Sequence, residues 1–168
     1  MLYLDHREPL PEALRGAILA LGNFDGFHKG HQAVVGEAIA WARAEGRPAI
    51  VATFEPHPVR YFKPDAEPFR LTTLEQRGEL FAAAGADAML VLHFDEAIAS
   101  MSAERWVRDM IHDHLGVVGI TTGEDFTFGK DRSGSANSLR AFGEPLGIST
   151  RAISGIVDAD GPISSSRI

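Results

Sequence analysis

Apolar runs of strand length alternate along this chain with segments of helical periodicity, and this alternation restricts its fold more than any other feature. The apolar runs cover residues 17–21, 48–54, 87–94, 116–122 and 150–157. Residues 48–54 are nearly continuously apolar, as strands buried on both faces of a parallel sheet are. Because parallel neighbours need helical crossovers that cover the sheet faces, the pattern predicts an α/β fold with a doubly wound parallel sheet.

Composition narrows the class of protein. The chain has 168 residues, no cysteine and a formal net charge of −7 with histidine neutral, and one domain with a sizeable core is expected at this length. The negative charge argues against non-specific nucleic-acid binding, and the absence of cysteine excludes disulfides, thiolate metal sites and cysteine nucleophiles. Residues 1–16 lack the hydrophobic core of a signal peptide, and no apolar run is long enough to span a membrane. We therefore expect a cytoplasmic protein without a membrane partner.

The segments between the apolar runs predict where helices lie and which side they bury. Helices are expected over residues 31–45, 73–84, 102–115 and 135–146. In the second of these, the predicted buried side consists of Leu74, Leu80, Phe81 and Ala84. Residues 1–16 carry two prolines and are predicted to be a lead-in rather than an element.

A glycine-rich turn joins the first apolar run to the first helix and is the main candidate for a functional site. It contains Gly22, Gly26 and Gly30, with His28 and His31 three residues apart. A helix that begins after a strand presents unpaired N–H groups and a positive dipole end, which suit ligand phosphates. The two histidines can also share one side of the opening helical turn. Two other interpretations stay open here: histidines that only cap the helix, or a hydrolytic metal site at Asp25, His28 and His31.

Two further loops follow strands and are expected at the same sheet edge, because ligands in open α/β sheets bind at the strands' carboxyl ends. One is Glu55-Pro56-His57-Pro58, where two prolines stiffen the backbone. The other is the stretch from Gly123 to Lys130, which holds an acidic pair, two aromatic residues and a lysine. A rigid loop in the first case, and aromatic anchors in the core in the second, are the plain alternatives.

These strings resemble a known family. His28-Lys-Gly-His31 resembles the His-x-Gly-His signature of the nucleotidyltransferase superfamily, and the longer string Gly-Asn-Phe-Asp-Gly-Phe-His-Lys-Gly-His resembles the FMN adenylyltransferase (FAD synthetase) module of prokaryotic bifunctional riboflavin kinase/FAD synthetase. Phe-x-Pro-His-Pro and Gly-x-Asp-Phe-x-Phe-Gly are similar to strings of the same family. The resemblance implies a Rossmann-like sheet of the His-x-Gly-His type and a reaction in which FMN and ATP give FAD and pyrophosphate.

The resemblance also assigns roles to residues of this chain. His28 would contact the ATP phosphates and His31 the charge that develops at the α-phosphate, which makes these two the catalytic residues. Magnesium would enter with ATP, held by phosphates and water, and no protein metal ligand is predicted. The implied ATP-binding residues are Gly22, Asn23, Phe24, Asp25, Gly30, Ser164, Ser165 and Ser166. The implied FMN-binding residues are Phe54, Pro56, His57, Pro58, Phe62, Asp125, Phe126 and Phe128.

The last residues depart from the family pattern. Ile163 to Ser166 resembles the second superfamily signature, Ile-Ser-Ser-Thr-x-x-Arg, but Ser166 stands at the threonine position. The signature's arginine would come three residues after Ser166, and the printed sequence stops at Ile168. The expectation is therefore that residues 1–168 are an FMN adenylyltransferase domain truncated at its C-terminus, with a riboflavin kinase module as its partner in the full-length protein.

Rival functions follow from the same residues. A transferase with a different acceptor, such as phosphopantetheine or nicotinamide mononucleotide, would share the His-x-Gly-His site, although Pro-His-Pro and Asp-Phe-x-Phe-Gly favour FMN. A flavin- or nucleotide-binding module without chemistry would bind ATP or FMN and release no pyrophosphate. The missing arginine leaves the turnover of this chain open.

Overall fold

The structure is a computed structural model that describes residues 2–22, 24, 29–55, 74–93, 96–124, 126–128, 134–153, 157–158 and 161–162. Its strands are β1 (Leu2–Asp5), β2 (Ile18–Leu21), β3 (Ala49–Glu55), β4 (Ala88–His93), β5 (Gly119–Gly123), β6 (Ser149–Ile153), β7 (Val157–Asp158) and β8 (Gly161–Pro162). Its helices are α1 (Lys29–Glu45), α2 (Leu74–Ala84), α3 (Glu96–Ala99), α4 (Ala103–Arg105) and α5 (Ala136–Gly143). Helix α4 continues as a π-helix, Trp106–Leu115.

Strands β1 to β6 form one all-parallel sheet in the order β1-β4-β3-β2-β5-β6. From β2 the chain moves outward to β3 and β4, and then crosses to the other side of β2 to form β5 and β6. The direction of winding therefore reverses between β2 and β5, where Leu21 lies in register with Thr122. Ligands of open α/β sheets bind at the carboxyl ends of the strands beside such a switch point.

Helices cover both faces of the sheet. On one face α1 and α2 enclose a buried cluster that includes Val35 and Phe81. On the other face the π-helix and α5 enclose a second cluster that includes Ile111 and Leu139. Alternate strand residues point into these two clusters, as the pleat requires. The predicted doubly wound parallel sheet is confirmed.

The local signals that start and end the helices are also visible. The side chain of Ser102 accepts a hydrogen bond from the backbone N–H of Arg105 at 3.2 Å, so Ser102 is the N-cap of α4. Gly46 follows α1 with a φ of 67°, the left-handed conformation that ends a helix most easily at glycine. Across the residues described, no helix combines the length and the apolar character that a membrane span requires.

Two expectations about the first half of the chain are wrong. Residues 1–16 are not only a lead-in, because Leu2–Asp5 forms β1 and pairs in parallel with β4. A half-exposed edge strand needs little apolar sequence, so its pairing partner decides its conformation. The predicted buried side of α2 is only partly correct: Phe81 is buried, but Leu80 is 38% exposed and Ala84 is exposed.

Candidate active site

The turn after β2 is held in place by the neighbouring strand β5. The hydroxyl of Thr122 donates a hydrogen bond to the carbonyl oxygen of Leu21 at 2.9 Å, and the hydroxyl of Thr121 donates to the carbonyl oxygen of Val34 in α1, also at 2.9 Å. Both threonines are buried. Strand β5 is therefore bonded to the chain before and after the glycine-rich turn, which gives the turn a fixed entry and exit.

His31 lies in the first turn of α1, which begins at Lys29. Its side chain is half-buried, and Gly30 beside it is half-buried as well. The first turn of a helix presents backbone N–H groups that have no partner inside the helix, and the helix dipole is positive there. A histidine at this position can act on an anionic ligand together with those groups.

Phe24 packs against His31 and Phe81. Its ring centroid lies 5.5 Å from that of His31 with the rings at 89°, and 5.9 Å from that of Phe81 with the rings at 80°. The side chain of Phe24 is 2% exposed, so its ring belongs to the core cluster under α1. The assignment of Phe24 to ATP stays a prediction, and with the ring buried such a contact would come from its backbone.

Aromatic side chains form a row along the other face of the sheet, where β3 and β5 end. The Phe54 and Phe126 centroids lie 6.4 Å apart with the rings inclined by 19°, and those of Phe126 and Phe128 lie 6.1 Å apart at 14°. Trp106 of the π-helix continues the row, 5.1 Å from Phe128. Phe54 and Phe128 are buried, whereas Phe126 is half-buried. Phe126 thus offers a partly accessible ring held nearly parallel to its neighbours.

A buried arginine stabilises the end of β3. Arg77 in α2 is 2% exposed and donates from Nη1 to the hydroxyl of Thr53 at 2.7 Å and from Nη2 to Glu55 Oε2 at 3.2 Å. Thr53 and Glu55 are alternate residues of β3, so both face α2. This ion pair therefore fixes the strand directly before residues 56–58.

Among the described residues, the carboxyl groups with displaced pKa values lie away from the switch point. The Arg7 guanidinium holds the pKa of Asp5, at the end of β1, well below its usual range. Arg47, with help from the Trp41 indole N–H, lowers the pKa of Glu45. Burial acts to raise the pKa of Asp87, but the Ala49 N–H and the Arg43 guanidinium outweigh it and lower the pKa.

Of the residues predicted for the site, the structure describes Gly22, Phe24, Gly30, His31, Phe54, Phe126 and Phe128. It places Gly22, Phe24, Gly30 and His31 around the carboxyl end of β2. It places Phe54, Phe126 and Phe128 together at the ends of β3 and β5. The remaining predicted residues, Asn23, Asp25, His28, Pro56, His57, Pro58, Phe62, Asp125, Ser164, Ser165 and Ser166, lie outside the described residues.

Comparison with known proteins decides which family this arrangement represents. A family model described as FAD synthetase matches residues 10–167. The chain belongs to the FAD synthetase family. The match includes the glycine-rich turn, the aromatic row and the ion pair of Arg77.

Several curated proteins are similar to this chain in sequence. The chain is 33% identical over 153 residues to the bifunctional riboflavin kinase/FMN adenylyltransferase of Escherichia coli strain K12, covering 91% of this chain and 49% of that protein. It is 36% identical over 155 residues to the Pseudomonas fluorescens protein of that name, covering 92% of this chain and 49% of that protein. A putative bifunctional protein of Geobacillus thermodenitrificans is 34% identical, with 82% of its length covered. The chain thus spans about half the length of the first two relatives.

A solved structure shares the fold. The crystal structure titled as a macrolide-efflux protein from Streptococcus pneumoniae superposes with a TM-score of 0.84 at 24% identity, over 99% of this chain and 54% of that one. At this level of identity the likeness concerns the fold alone. It agrees with the all-parallel sheet described above.

Several residues around this candidate site were not found from the sequence. Thr121 and Thr122 carried a usable signal, since two polar residues stand at the end of an otherwise buried strand. Trp106 lies within the helix expected over residues 102–115, but nothing in the sequence indicated its place in the aromatic row. Arg77 lies one helical turn before Phe81 and is buried. Nothing in the sequence indicated that this charged side chain faces inward.

Proposed function

We propose that this chain transfers the adenylyl group of ATP to FMN, giving FAD and pyrophosphate. The observation that carries the proposal is the position of His31: it lies in the first turn of α1, beyond the strand end at the switch point, in a chain of the FAD synthetase family. The proposal also agrees with the names of the relatives, which include FMN adenylyltransferase.

The reaction needs alignment more than a strong base. A phosphate oxygen of FMN attacks the α-phosphorus of ATP, a new P–O bond forms, and the bond to the β-phosphate oxygen breaks so that pyrophosphate leaves with the bonding electrons. Because a phosphate monoester has a second pKa near ~6, the attacking oxygen is largely ionised at neutral pH. What the protein must supply is orientation of the two phosphates and stabilisation of charge at phosphorus.

The start of α1 is suited to this task. We assign His31 to the charge that develops on the α-phosphate and His28 to the ATP phosphates. The backbone of the turn, at Gly22, Asn23, Phe24, Asp25 and Gly30, would approach ATP closely, and the hydroxyls of Ser164, Ser165 and Ser166 would bind its β- and γ-phosphates. Losing one such donor typically lowers a rate by ~10²–10³-fold.

The aromatic row suits the flavin. Planar rings stack favourably on aromatic side chains, and the half-buried ring of Phe126 lies within 14–19° of the planes of Phe128 and Phe54. We assign FMN to this region, with Pro56, His57, Pro58, Phe62 and Asp125 as further contacts.

Magnesium is part of the substrate in this proposal. Among the residues that the structure describes, no three histidine, aspartate or glutamate side chains are grouped so as to hold a metal ion. We propose that magnesium arrives with ATP and is held by phosphate oxygens and water, the ligands that this hard cation prefers. We also propose that a riboflavin kinase module accompanies this chain in the full-length protein, as the names of the relatives suggest.

Pyrophosphate release from ATP and magnesium, with and without FMN, tests the proposal. We expect FMN-dependent release, matched in amount by FAD separated by chromatography. Release that needs phosphopantetheine or nicotinamide mononucleotide instead would assign a different acceptor. Binding of FMN or ATP without release would show a non-catalytic module.

A pair of histidine variants assigns the site. His31→Ala should lower the rate of transfer by ~10²–10³-fold. His112→Ala is the matched control, because His112 lies half-exposed on the π-helix, bonded to Asp113, and it should leave the rate unchanged. Equal losses in both variants would contradict the role of His31.

A further inference from the structure

The starting observation is the backbone of Phe24. Its φ is 54°, and among the described residues it is the one non-glycine residue with positive φ. Bulky side chains rarely adopt this left-handed conformation, and where they do, surrounding contacts must maintain it. The contacts around Phe24 therefore indicate what the conformation is for.

The left-handed backbone turns the Phe24 ring back over Gly22. A Cβ atom added to Gly22 would lie 3.0 Å from Phe24 Cζ and 3.1 Å from Cε1. A side chain at position 22 would therefore force the Phe24 ring to shift by a few tenths of an ångström from its buried place. This gives a physical reason for the first glycine of the turn that is separate from any contact with ATP.

The Phe24 ring contacts two other rings. Phe81, which is 0% exposed, meets it at 80°, and His31 meets it at 89°. Edge-to-face pairs at centroid distances of 4.5–7 Å are favourable, and both pairs fall in that range. Phe81, Phe24 and His31 form a continuous contact from α2 to the first turn of α1, which we call the aromatic column.

We propose that Phe81 is a positioning residue that orients the His31 imidazole through Phe24. This inference rests on the proposed function. Phe81 belongs to none of the motifs after the strands and lies on a different helix from His31. It contacts the Phe24 ring, which in turn contacts the His31 imidazole. Without that contact, the strained backbone at Phe24 can relax and the imidazole loses the ring edge that sets its plane.

Nuclear magnetic resonance tests the geometry directly. The ring protons of His31, assigned with His31→Gln, lie beside the Phe24 ring and experience its ring current. We expect nuclear Overhauser effects between the Phe24 and His31 ring protons in the wild-type protein, and altered His31 ring-proton shifts in Phe81→Leu. Absence of those Overhauser effects in the wild type would overturn the proposal even if Phe81→Leu failed to fold.

Two controls separate this effect from a general loss of packing. Leu80→Ala changes the neighbouring residue of the same helix, whose side chain is 38% exposed. Ile148→Ala removes a side chain that is 1% exposed and directly precedes β6, at the amino edge of the sheet. Neither control should move the His31 signals. Movement in Ile148→Ala equal to that in Phe81→Leu would overturn the proposal.

Kinetics provide the second readout. Phe81→Leu should lower kcat for FAD formation by ~10- to 100-fold, since a misplaced catalytic group costs rate and not ground-state binding, while KM for FMN and ATP stays unchanged. A change in KM alone, or an unchanged kcat, would overturn the positioning role. If the wild-type chain forms no FAD, the proposed function fails, and the resonance experiment decides the inference by itself.

Discussion

The hydroxyl of Thr122 donates a buried hydrogen bond to the carbonyl oxygen of Leu21, the last residue of β2, at 2.9 Å. This bond joins the two strands on either side of the switch point, immediately before the glycine-rich turn. It supplements the backbone ladder with a side-chain contact at the place where the chain leaves the sheet.

Replacing Thr122 by valine should destabilise the fold. The valine side chain has nearly the same shape but leaves the Leu21 carbonyl without this donor, which costs about 1–2 kcal/mol of unfolding free energy. Urea denaturation measures the loss. Thr150→Val is the matched control: Thr150 Oγ1 is buried and has no hydrogen-bond partner in the part of the chain described here, so valine should be neutral or slightly stabilising. A Thr122→Val protein no less stable than Thr150→Val would contradict the role of the bond.

Arg77→Met should cost more than a surface arginine does. It removes a buried guanidinium that bonds Thr53 and Glu55, and breaking a buried ion pair from one side typically costs several kcal/mol. Because the Glu55 side chain is 23% exposed, we expect about 2–4 kcal/mol, measured by chemical denaturation. Arg77→Lys should recover only part, since an ammonium cannot reproduce the two-pronged geometry.

The control for Arg77 is Arg108, which pairs with Glu104 at 3.5 Å on the exposed side of the π-helix. Arg108→Met should change the unfolding free energy by no more than about 0.5 kcal/mol. Similar losses at the two positions would show that burial of the Arg77 pair is not what matters.

Asp5→Asn should reduce the stability of the protein in a pH-dependent way. The pKa of Asp5 is held below its usual range by hydrogen bonds from Arg7, with a further contribution from His93, whose Nε2 lies 3.1 Å away. A depressed carboxyl pKa contributes stability that is present above the unfolded value of about 3.9 and is lost as pH falls through the folded value. The gap in stability between wild type and Asp5→Asn should therefore be largest above about pH 5 and shrink towards pH 2.

Thermal unfolding at several pH values checks this expectation. Asp109→Asn, at an exposed position beside Arg105, controls for the loss of one negative charge. A gap that stays constant across the acid range, or one that Asp109→Asn reproduces, would refute the contribution of Asp5 and with it the electrostatic support of β1.

Gly134→Ala should disturb the aromatic row. Its Cβ would lie 2.5 Å from Phe128 Cζ, so the Phe128 ring, which contacts Trp106, must shift. We expect a loss of about 1–3 kcal/mol, as for overpacked cores, together with changed near-ultraviolet circular dichroism. Gly36→Ala is the contrasting control: in the middle of α1 its Cβ meets nothing within 4 Å, and it should raise stability by about 0.5–1 kcal/mol. An unaltered aromatic spectrum in Gly134→Ala would contradict the contact.

Local sequence determined much of this protein. The apolar runs and helical periodicities identified β2 to β6 and the main helices. Both signals, a continuous apolar run and a 3.6-residue period, depend only on residues that are close in sequence. The strings around His31, Phe54 and Phe126 indicate the family, and the family model confirmed it. The roles assigned to individual site residues stay predictions.

Tertiary structure determined the conformations and side-chain positions that depend on residues distant in sequence. Leu2–Asp5 becomes a strand because β4 offers an open edge, and Arg77 turns inward because Thr53 and Glu55 meet it there. The Phe24 ring is buried because Phe81, from a separate helix, packs against it. Such pairings join residues far apart along the chain, so they cannot be predicted from local sequence periodicity. The sequence by itself thus determined the fold class and the family, whereas the packing of the sheet and helices determined which side chains stabilise the site.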